Sequence, residues 1–232
     1  MVDHNELDNI ESAHRRWRTV RGAPDFSPRY VGGEGEADSP IAILIGEAPG
    51  AQEEIQRRPF VGPAGIVLRQ LMQMAGLYSE PWKTGVVGPS YEEPTIDPIG
   101  GYAPNCWLTN VVKFRPPRNR TPTPAEIMSV RHILRQEWMA VNKPRVIIPV
   151  GGVALHAVYG RRISILAVAG KLHIQRSVTK PYIDLFIWPM VHPSFGLRSG
   201  NEKIQELLEK DWQKLGAWLM LNYTLRKHHL ED

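Results

Sequence analysis

The sequence predicts an α/β fold, a three-layer α/β/α sandwich with a central, mainly parallel four-stranded sheet. Short apolar runs rich in β-branched residues recur along the chain, and most are bounded by Gly or Pro. Segments with helical apolar periodicity lie between them. Because strands that alternate with helices usually form a parallel sheet covered on both faces, we expect this architecture. The predicted strands are 41–45, 106–112, 145–150 and 182–190.

The segments around these strands are predicted as helices. Residues 64–75 carry apolar side chains at helical spacing and stop before Gly76, a common helix terminator. Thr123 and Glu126 have the spacing of a capping box, with Pro124 at the first helical position. The helix that they begin is expected to reach about residue 140. The other predicted helices are 9–18, 153–159 and 202–221.

Length and composition bound the domain organisation. A chain of 232 residues, 42% hydrophobic and 22% charged, suits one domain with a sizeable core. We expect that domain at 38–222, with a polar N-terminal flank, 1–37, packed on it and a C-terminal tail at 223–232. The net charge of +4 permits a polyanionic partner.

The sequence carries no sign of a membrane or secretory segment. There is no run of about 18 or more apolar residues, and the first residues are too polar for a secretory signal. We therefore expect an intracellular, cytoplasmic protein that does not contact a membrane. We also expect a monomer.

The most informative segment is GEAPG at 46–50, which follows the first predicted strand. A buried strand that runs into Gly, Pro and Gly must turn sharply, and this holds Glu47 at the carboxyl end of the strand. That edge of an open α/β sheet is where ligands usually bind. A second block, PFVGPAG, follows at 59–65.

These two blocks resemble the first motif of the uracil-DNA glycosylase superfamily and are closest to its family 4. Further matching blocks are TNVVK at 109–113, RPP at 115–117, NR at 119–120 and HPS at 192–194. The resemblance covers most of 38–215. It implies a uracil-DNA glycosylase-like fold and a monofunctional DNA glycosylase, which hydrolyses the N-glycosidic bond of uracil in DNA and leaves an abasic site for base excision repair.

The resemblance also implies a role for each matching residue. The catalytic residues would be Glu47 and His192, and the base-binding residues would be Gly46, Ala48, Phe60 and Asn110. Two other functions stay open: a glycosylase for another modified pyrimidine, and a DNA-binding member without turnover. Retention of the acid argues against the second, because a pure binder has no need of a group that positions water.

Side-chain chemistry is compatible with these roles. The Phe60 ring could stack on an extruded base, which contributes about 1–3 kcal/mol, although a core phenylalanine is the alternative. The Asn110 amide can accept from uracil N3–H and donate to O4, although an asparagine that ends a strand often only begins a turn. His192 could donate to O2 as negative charge develops there.

Glu47 would orient or deprotonate the attacking water and stabilise the cationic sugar. An acid at the end of a strand can instead cap a helix or pair with an arginine. Glu53 and Glu54 are interpreted in that way, because they lie beyond the turn.

Two segments are expected to contact DNA, in single- or double-stranded form. The first is basic and rich in proline, which suits a path along the phosphate backbone, and its contact residues are Lys113, Arg115, Arg118, Asn119 and Arg120. The second is a loop after His192, where Leu197 or Phe195 would wedge into the duplex. Ser194 and Arg198 belong to the same loop.

The family resemblance implies a cofactor that this sequence does not accommodate. Family 4 members typically hold a [4Fe–4S] cluster on four cysteines, whereas this chain has one cysteine, Cys106. Phe114 and a residue near Val130 stand where two of the ligands belong. We therefore expect no iron–sulfur cluster, no metal and no other cofactor, and we expect Phe114 and Val130 to fill the space by packing.

The connection at about 78–104 is longer than ordinary loops and is interpreted as an insertion. Because it rejoins the chain close to Asn110, one hypothesis is that it covers the DNA-binding face and modulates base choice. The alternative is an inert surface excursion, since long surface insertions are tolerated.

Overall fold

The computed structural model describes residues 4–19, 23–77, 106–141, 146–176, 184–199 and 202–228. Its centre is a six-stranded sheet with the order β1-β3-β2-β4-β6-β5. The strands are β1 (Glu34–Gly35), β2 (Ala42–Gly46), β3 (Cys106–Asn110), β4 (Val146–Pro149), β5 (His173–Gln175) and β6 (Leu185–Ile187).

The four predicted strands form the middle of this sheet, and all three of their pairings are parallel. This confirms the expected parallel core. The sheet is nevertheless mixed, because β1 and β5 add antiparallel edges that were not predicted. Sequence patterning does not reveal them, since β1 has two residues and β5 has three that are mostly exposed.

Eight α-helices surround the sheet in the described residues. They are α1 (His4–Trp17), α2 (Ala51–Gln56), α3 (Pro63–Met74), α4 (Pro124–Ala140), α5 (Gly152–Tyr159), α6 (Ile165–Val168), α7 (Pro193–Ser199) and α8 (Glu202–His228). The capping box predicted for α4 is present: Glu126 N–H donates to Thr123 Oγ1, and Thr123 N–H donates to the Glu126 carboxylate.

Several boundaries differ from the prediction. Helix α1 begins earlier than residue 9, and α8 continues to His228 through part of the expected tail at 223–232. The short helices α2, α6 and α7 were not predicted, because none is long enough to show an apolar period. The insertion at 78–104 lies outside the described residues.

Two apolar cores lie on opposite faces of the sheet and make the three layers. Side chains alternate along β2, so that Ile43 and Ile45 face one core while Ala42 and Leu44 face the other. Helices α1, α4 and α5 pack on the first face. Helices α3 and α8 pack on the second, where Trp212 is fully buried.

The N-terminal segment contributes side chains to the first core. Trp17 is buried against α4, and its indole N–H donates to Ser129 Oγ at 2.8 Å. Phe26 packs edge-on against Trp17, and Tyr30 packs edge-on against Phe114. No helix in the described residues is both long and apolar enough to cross a membrane.

His14 of α1 is a buried polar residue in this layer. Neither ring nitrogen has a hydrogen-bond partner in the described part of the chain. Burial lowers the pKa of His14 well below its ordinary value, and the charges of Lys113 and His132 add to the effect. The unfolded chain therefore binds a proton that the native state excludes, so stability must fall as the pH drops below about 6.5.

We expect the free energy of unfolding to decrease between about pH 7.5 and about pH 5.5 by roughly 1 kcal/mol more in the wild type than in His14→Leu. Urea denaturation at both pH values measures the difference. Gln136→Ala, at an exposed position on α4, removes no titratable group; it is the control and should keep the wild-type pH dependence. Equal pH dependence in the wild type and His14→Leu would contradict this account of His14.

Candidate active site

The parallel strands bring four chain segments to one edge of the sheet. In the register, Gly46 at the end of β2 pairs with Asn110 at the end of β3. Beyond β4, Val150 forms a parallel bridge with Met190, and Gly151 N–H donates to the Met190 carbonyl at 2.8 Å. Glu47, Asn110, Gly151 and His192 therefore meet at the carboxyl edge, as expected for an open α/β sheet.

Gly46 is the point where the base-binding candidates converge. A methyl group built on its Cα would overlap the Asn110 Oδ1 atom and come within 2.7 Å of the Phe60 ring. Both side chains are nearly buried, Phe60 at 7% and Asn110 at 3% exposure. The bare Cα of Gly46 thus allows an aromatic ring and an amide to lie side by side.

The turn that carries Glu47 is fixed to the neighbouring strand through its backbone. Val111 N–H donates to the Gly46 carbonyl at 3.0 Å, and Val112 N–H donates to the Glu47 carbonyl at 3.2 Å. The Glu47 side chain is half-buried and lines the cavity at this edge. The two nearby acids have other partners, as predicted: Glu53 caps α2, and Glu54 pairs with Arg115.

The contacts of His192 define its tautomer. The Ser194 backbone N–H donates to His192 Nδ1 at 3.2 Å, and Ser194 Oγ lies 2.8 Å from the same nitrogen. Since a backbone N–H can only donate, Nδ1 accepts, and the proton of the neutral ring belongs to Nε2. His192 therefore acts as a hydrogen-bond donor through Nε2, while Ser194 orients the ring.

A cavity of about 660 Å³ lies at this edge, within the usual size range of ligand sites. The sequence-predicted residues that line it are Glu47, Ala48, Phe60, Asn110, Asn119, Arg120, His192 and Ser194. Lining residues that sequence reasoning missed include Gly151, Gly152, Thr121, Ile165 and Leu166. A Gly-Gly pair directly after the predicted strand 145–150 could have indicated Gly151 and Gly152. Nothing in the sequence marks Leu166, an exposed side chain on the four-residue α6.

Comparison with known proteins agrees with this architecture. A family model described as the uracil DNA glycosylase superfamily matches residues 33–216, most of the chain. This chain belongs to that superfamily. The resemblance inferred from the motif blocks is thereby confirmed.

Named relatives also match most of the chain. A type-4 uracil-DNA glycosylase of Thermotoga maritima is 33% identical over 190 residues, which span 82% of this chain and 82% of the relative. A type-4 uracil-DNA glycosylase of Pyrobaculum aerophilum is 36% identical over 177 residues, 75% of this chain and 76% of the relative. A DNA polymerase of Bacillus phage SP01 is 27% identical over 84% of this chain and 17% of its own length.

The prediction that Lys113 contacts DNA is wrong. The side chain of Lys113 is fully buried. Its ammonium group lies 2.6 Å from Glu137 Oε2, donates to the Asn110 carbonyl at 2.9 Å, and also donates to Thr109 Oγ1. Burial lowers the pKa of Lys113, while Glu137 opposes that shift. Lys113 is therefore a structural support beneath Asn110, with no access to a phosphate.

The Glu137 carboxylate completes this buried network. Its Oε1 accepts from the Trp107 indole N–H at 3.1 Å and from Thr109 Oγ1 at 2.7 Å. Because the pair is desolvated, removing one partner leaves the other charge exposed to a medium of low dielectric constant. The network therefore joins α4 to the end of β3 that carries Asn110.

The other predicted cations lie at or near the surface. Arg118 is exposed, whereas Arg115 bonds Glu54 at 3.0 Å and Asn119 Oδ1 at 2.7 Å. Arg120 is held by Glu126 through contacts of 2.7 and 2.9 Å. These bonds lower the pKa of Glu126 and fix the segment at the rim of the cavity.

The segment after His192 also departs from expectation. It was predicted as a loop, but residues Pro193–Ser199 form α7. Phe195 is 42% exposed and lines the cavity. The side chains of Leu197 and Arg198 lie outside those that the structure describes.

The residues do not fit the cysteine-ligated cluster that family 4 resemblance implies. The one cysteine, Cys106, is buried in β3, and burial raises the pKa of its thiol. Phe114 and Val130 are fully buried in the same apolar core, which confirms the expected packing of these two side chains. Among the described residues, no group of three or more His, Cys, Asp or Glu side chains could hold a metal ion.

We expect Lys113→Met to lower the free energy of unfolding by about 3–5 kcal/mol, because Glu137 would remain buried without its cation. The double variant Lys113→Met/Glu137→Gln should recover part of that loss. Arg15→Met, which removes a surface pair with Glu11, is the control and should cost no more than about 1 kcal/mol.

Urea denaturation of the four proteins measures these differences. A Lys113→Met protein as stable as the wild type would contradict the assignment of Lys113 as a buried support. So would a double variant that is less stable than the single one.

Proposed function

We propose that this chain is a monofunctional uracil-DNA glycosylase, which hydrolyses the N-glycosidic bond of uracil in DNA and leaves an abasic site. One observation carries the proposal: Glu47, Phe60, Asn110 and His192 line a single cavity at the carboxyl edge of the sheet. The type-4 uracil-DNA glycosylases among its relatives support the same substrate.

Base capture rests on the Phe60 ring and the Asn110 amide. An enzyme that acts on a base in DNA must take that base out of the stack and pay for unstacking with contacts in its pocket. The Phe60 ring offers a stacking surface beside the amide, worth about 1–3 kcal/mol. The amide matches the N3–H and O4 edge of uracil, with Oδ1 accepting and Nδ2 donating.

Bond cleavage then requires a stabilised leaving group and a positioned water. As the bond between C1′ and N1 breaks, its electron pair moves to uracil, and negative charge develops on O2. His192 Nε2–H is proposed to donate to that oxygen, and such a donor is most effective once bound substrate excludes water. Glu47 orients the water that attacks C1′, accepts its proton, and opposes the positive charge on the sugar.

DNA would approach the rim formed by the basic segment and α7. Arg115, Arg118, Asn119 and Arg120 are proposed to follow the phosphate backbone, since surface cations set position without reading sequence. Ser194, Leu197 and Arg198 are proposed to contact the strand beside the vacated position. The protein would act as a monomer on single- or double-stranded DNA.

A panel of labelled oligonucleotides tests the proposal. Substrates contain uracil, a thymine mismatch, hypoxanthine or hydroxymethyluracil, and alkali cleaves the strand wherever an abasic site forms. We expect strand cleavage with uracil above all other bases. Preference for another pyrimidine would redirect the substrate assignment, whereas DNA binding without any base release would overturn the enzyme proposal.

We expect Glu47→Gln and His192→Ala each to lower the single-turnover rate of uracil release by about 10²-fold or more, while DNA affinity changes only a few-fold. Both residues act mainly on the transition state. The controls are Glu11→Gln and His132→Ala, at surface positions away from the cavity. A Glu47→Gln rate equal to that of the wild type would remove Glu47 from the mechanism.

The proposed enzyme needs no iron–sulfur cluster. The purified protein should therefore contain less than stoichiometric iron by elemental analysis, even when it is prepared without oxygen, because one thiol cannot supply the cluster's ligands. Uracil release should be unaffected by an iron chelator. One cluster's worth of iron per chain, lost together with activity, would contradict this proposal.

A further inference from the structure

One carboxylate joins the turn that follows Glu47 to the loop that carries Phe60. Glu53 Oε2 accepts from Gly50 N–H at 3.1 Å, which caps α2. Glu53 Oε1 accepts from the backbone N–H groups of Val61 at 3.1 Å and Gly62 at 2.7 Å. The same side chain therefore joins the end of the first motif block to the middle of the second.

The glycines at 50 and 62 leave space for this carboxylate. A methyl group at Gly50 would come within 2.7 Å of Glu53 Oε2, and one at Gly62 would come within 3.0 Å of Glu53 Oε1. Both distances are closer than ordinary packing contacts. The carboxylate is thus enclosed by backbone, and three backbone N–H groups donate to its two oxygens.

The loop that Glu53 holds contains an uncommon conformation. Phe60 has a φ of 56°, in the left-handed region that non-glycine residues rarely occupy. Such a conformation persists only when its surroundings hold it in place. Glu53 binds the N–H groups of the two residues that follow Phe60.

The carbonyl groups of the same loop are held from the other side. Arg69 of α3 is buried, and it donates from Nε to the Phe60 carbonyl at 3.0 Å and from Nη2 to the Pro59 carbonyl at 3.1 Å. Glu34 of β1 lies 3.3 Å from Arg69 Nη2 and also binds Arg58. The negative Glu53 side chain thus binds the backbone N–H groups that follow Phe60. The positive Arg69 side chain binds the carbonyl groups of Pro59 and Phe60.

We propose that Glu53 and Arg69 are positioning residues, which hold Phe60 in its left-handed conformation so that the ring lies against Gly46 and beside Asn110. They act through the Phe60 loop. Their effect on uracil release rests on the proposed function, whereas the placement of the Phe60 ring is independent of it.

Glu53→Gln is the most conservative test. The amide oxygen can still accept from Val61 and Gly62, but the amide nitrogen then faces Gly50 N–H, donor against donor. One bond and the charge are lost while the side-chain shape is kept. Gly62→Ala is the second variant, since it keeps the carboxylate but places a methyl group against it.

A double-mutant cycle separates positioning from general stability. We expect Glu53→Gln to lower single-turnover uracil release about 10- to 100-fold when Phe60 is present. In a Phe60→Ala background, the same change should cost no more than about 3-fold, because no ring remains to be placed. Glu11→Gln, an exposed acid on α1, is the matched control. Equal losses in both backgrounds would overturn the proposal.

A second readout does not depend on turnover. The Phe60 ring lies against the Gly46 Cα, so it should shift the Gly46 Hα resonance, and Phe60→Ala identifies that shift. We expect Glu53→Gln and Gly62→Ala both to reduce it. An unchanged Gly46 resonance in both folded variants would overturn the proposal. If the wild type released no uracil, the proposed function would fail, and this resonance would still decide the positioning role.

Discussion

The site depends on the in-register pairing of Gly46 with Asn110 at the ends of two parallel strands. A shift of β3 by one residue would turn the Asn110 side chain to the opposite face of the sheet. Because Gly46 has no side chain, the Phe60 ring and the Asn110 amide can meet over its Cα. Glu47 is the next residue in the chain. The acid, the ring and the amide are therefore all positioned by the end of β2.

The edge is supported from below by groups that never reach the cavity. Lys113 and Glu137 bury opposite charges beneath Asn110, and Lys113 donates to the Asn110 carbonyl. On the other side, Glu53 and Arg69 bind the backbone around Phe60. A buried ion pair such as Lys113–Glu137 adds little net stability, but removing one partner is costly. Asn110 and Phe60 thus lie between two sets of charged side chains.

The sequence predicted the parts of this structure that follow from periodicity and from motif blocks. The four central strands, the α4 capping box and the convergence of Glu47, Phe60, Asn110 and His192 belong to this group. The prediction for Lys113 was wrong because it used residue type alone, and a lysine in a basic segment is usually a surface cation. Only the fold shows that Glu137 lies opposite it. The left-handed Phe60 and the carboxylate bridge from Glu53 depend on contacts between separate segments, which no local pattern records.

A crystal structure of the wild-type protein with DNA that contains 2′-fluoro-2′-deoxyuridine tests the account most directly. The fluorine disfavours the cationic sugar, so the glycosidic bond should survive. We expect an extruded uracil that stacks on Phe60, with its N3 and O4 edge on Asn110 and its O2 facing His192 Nε2. A uracil that stays paired in the duplex, or that binds away from Gly46, would contradict it.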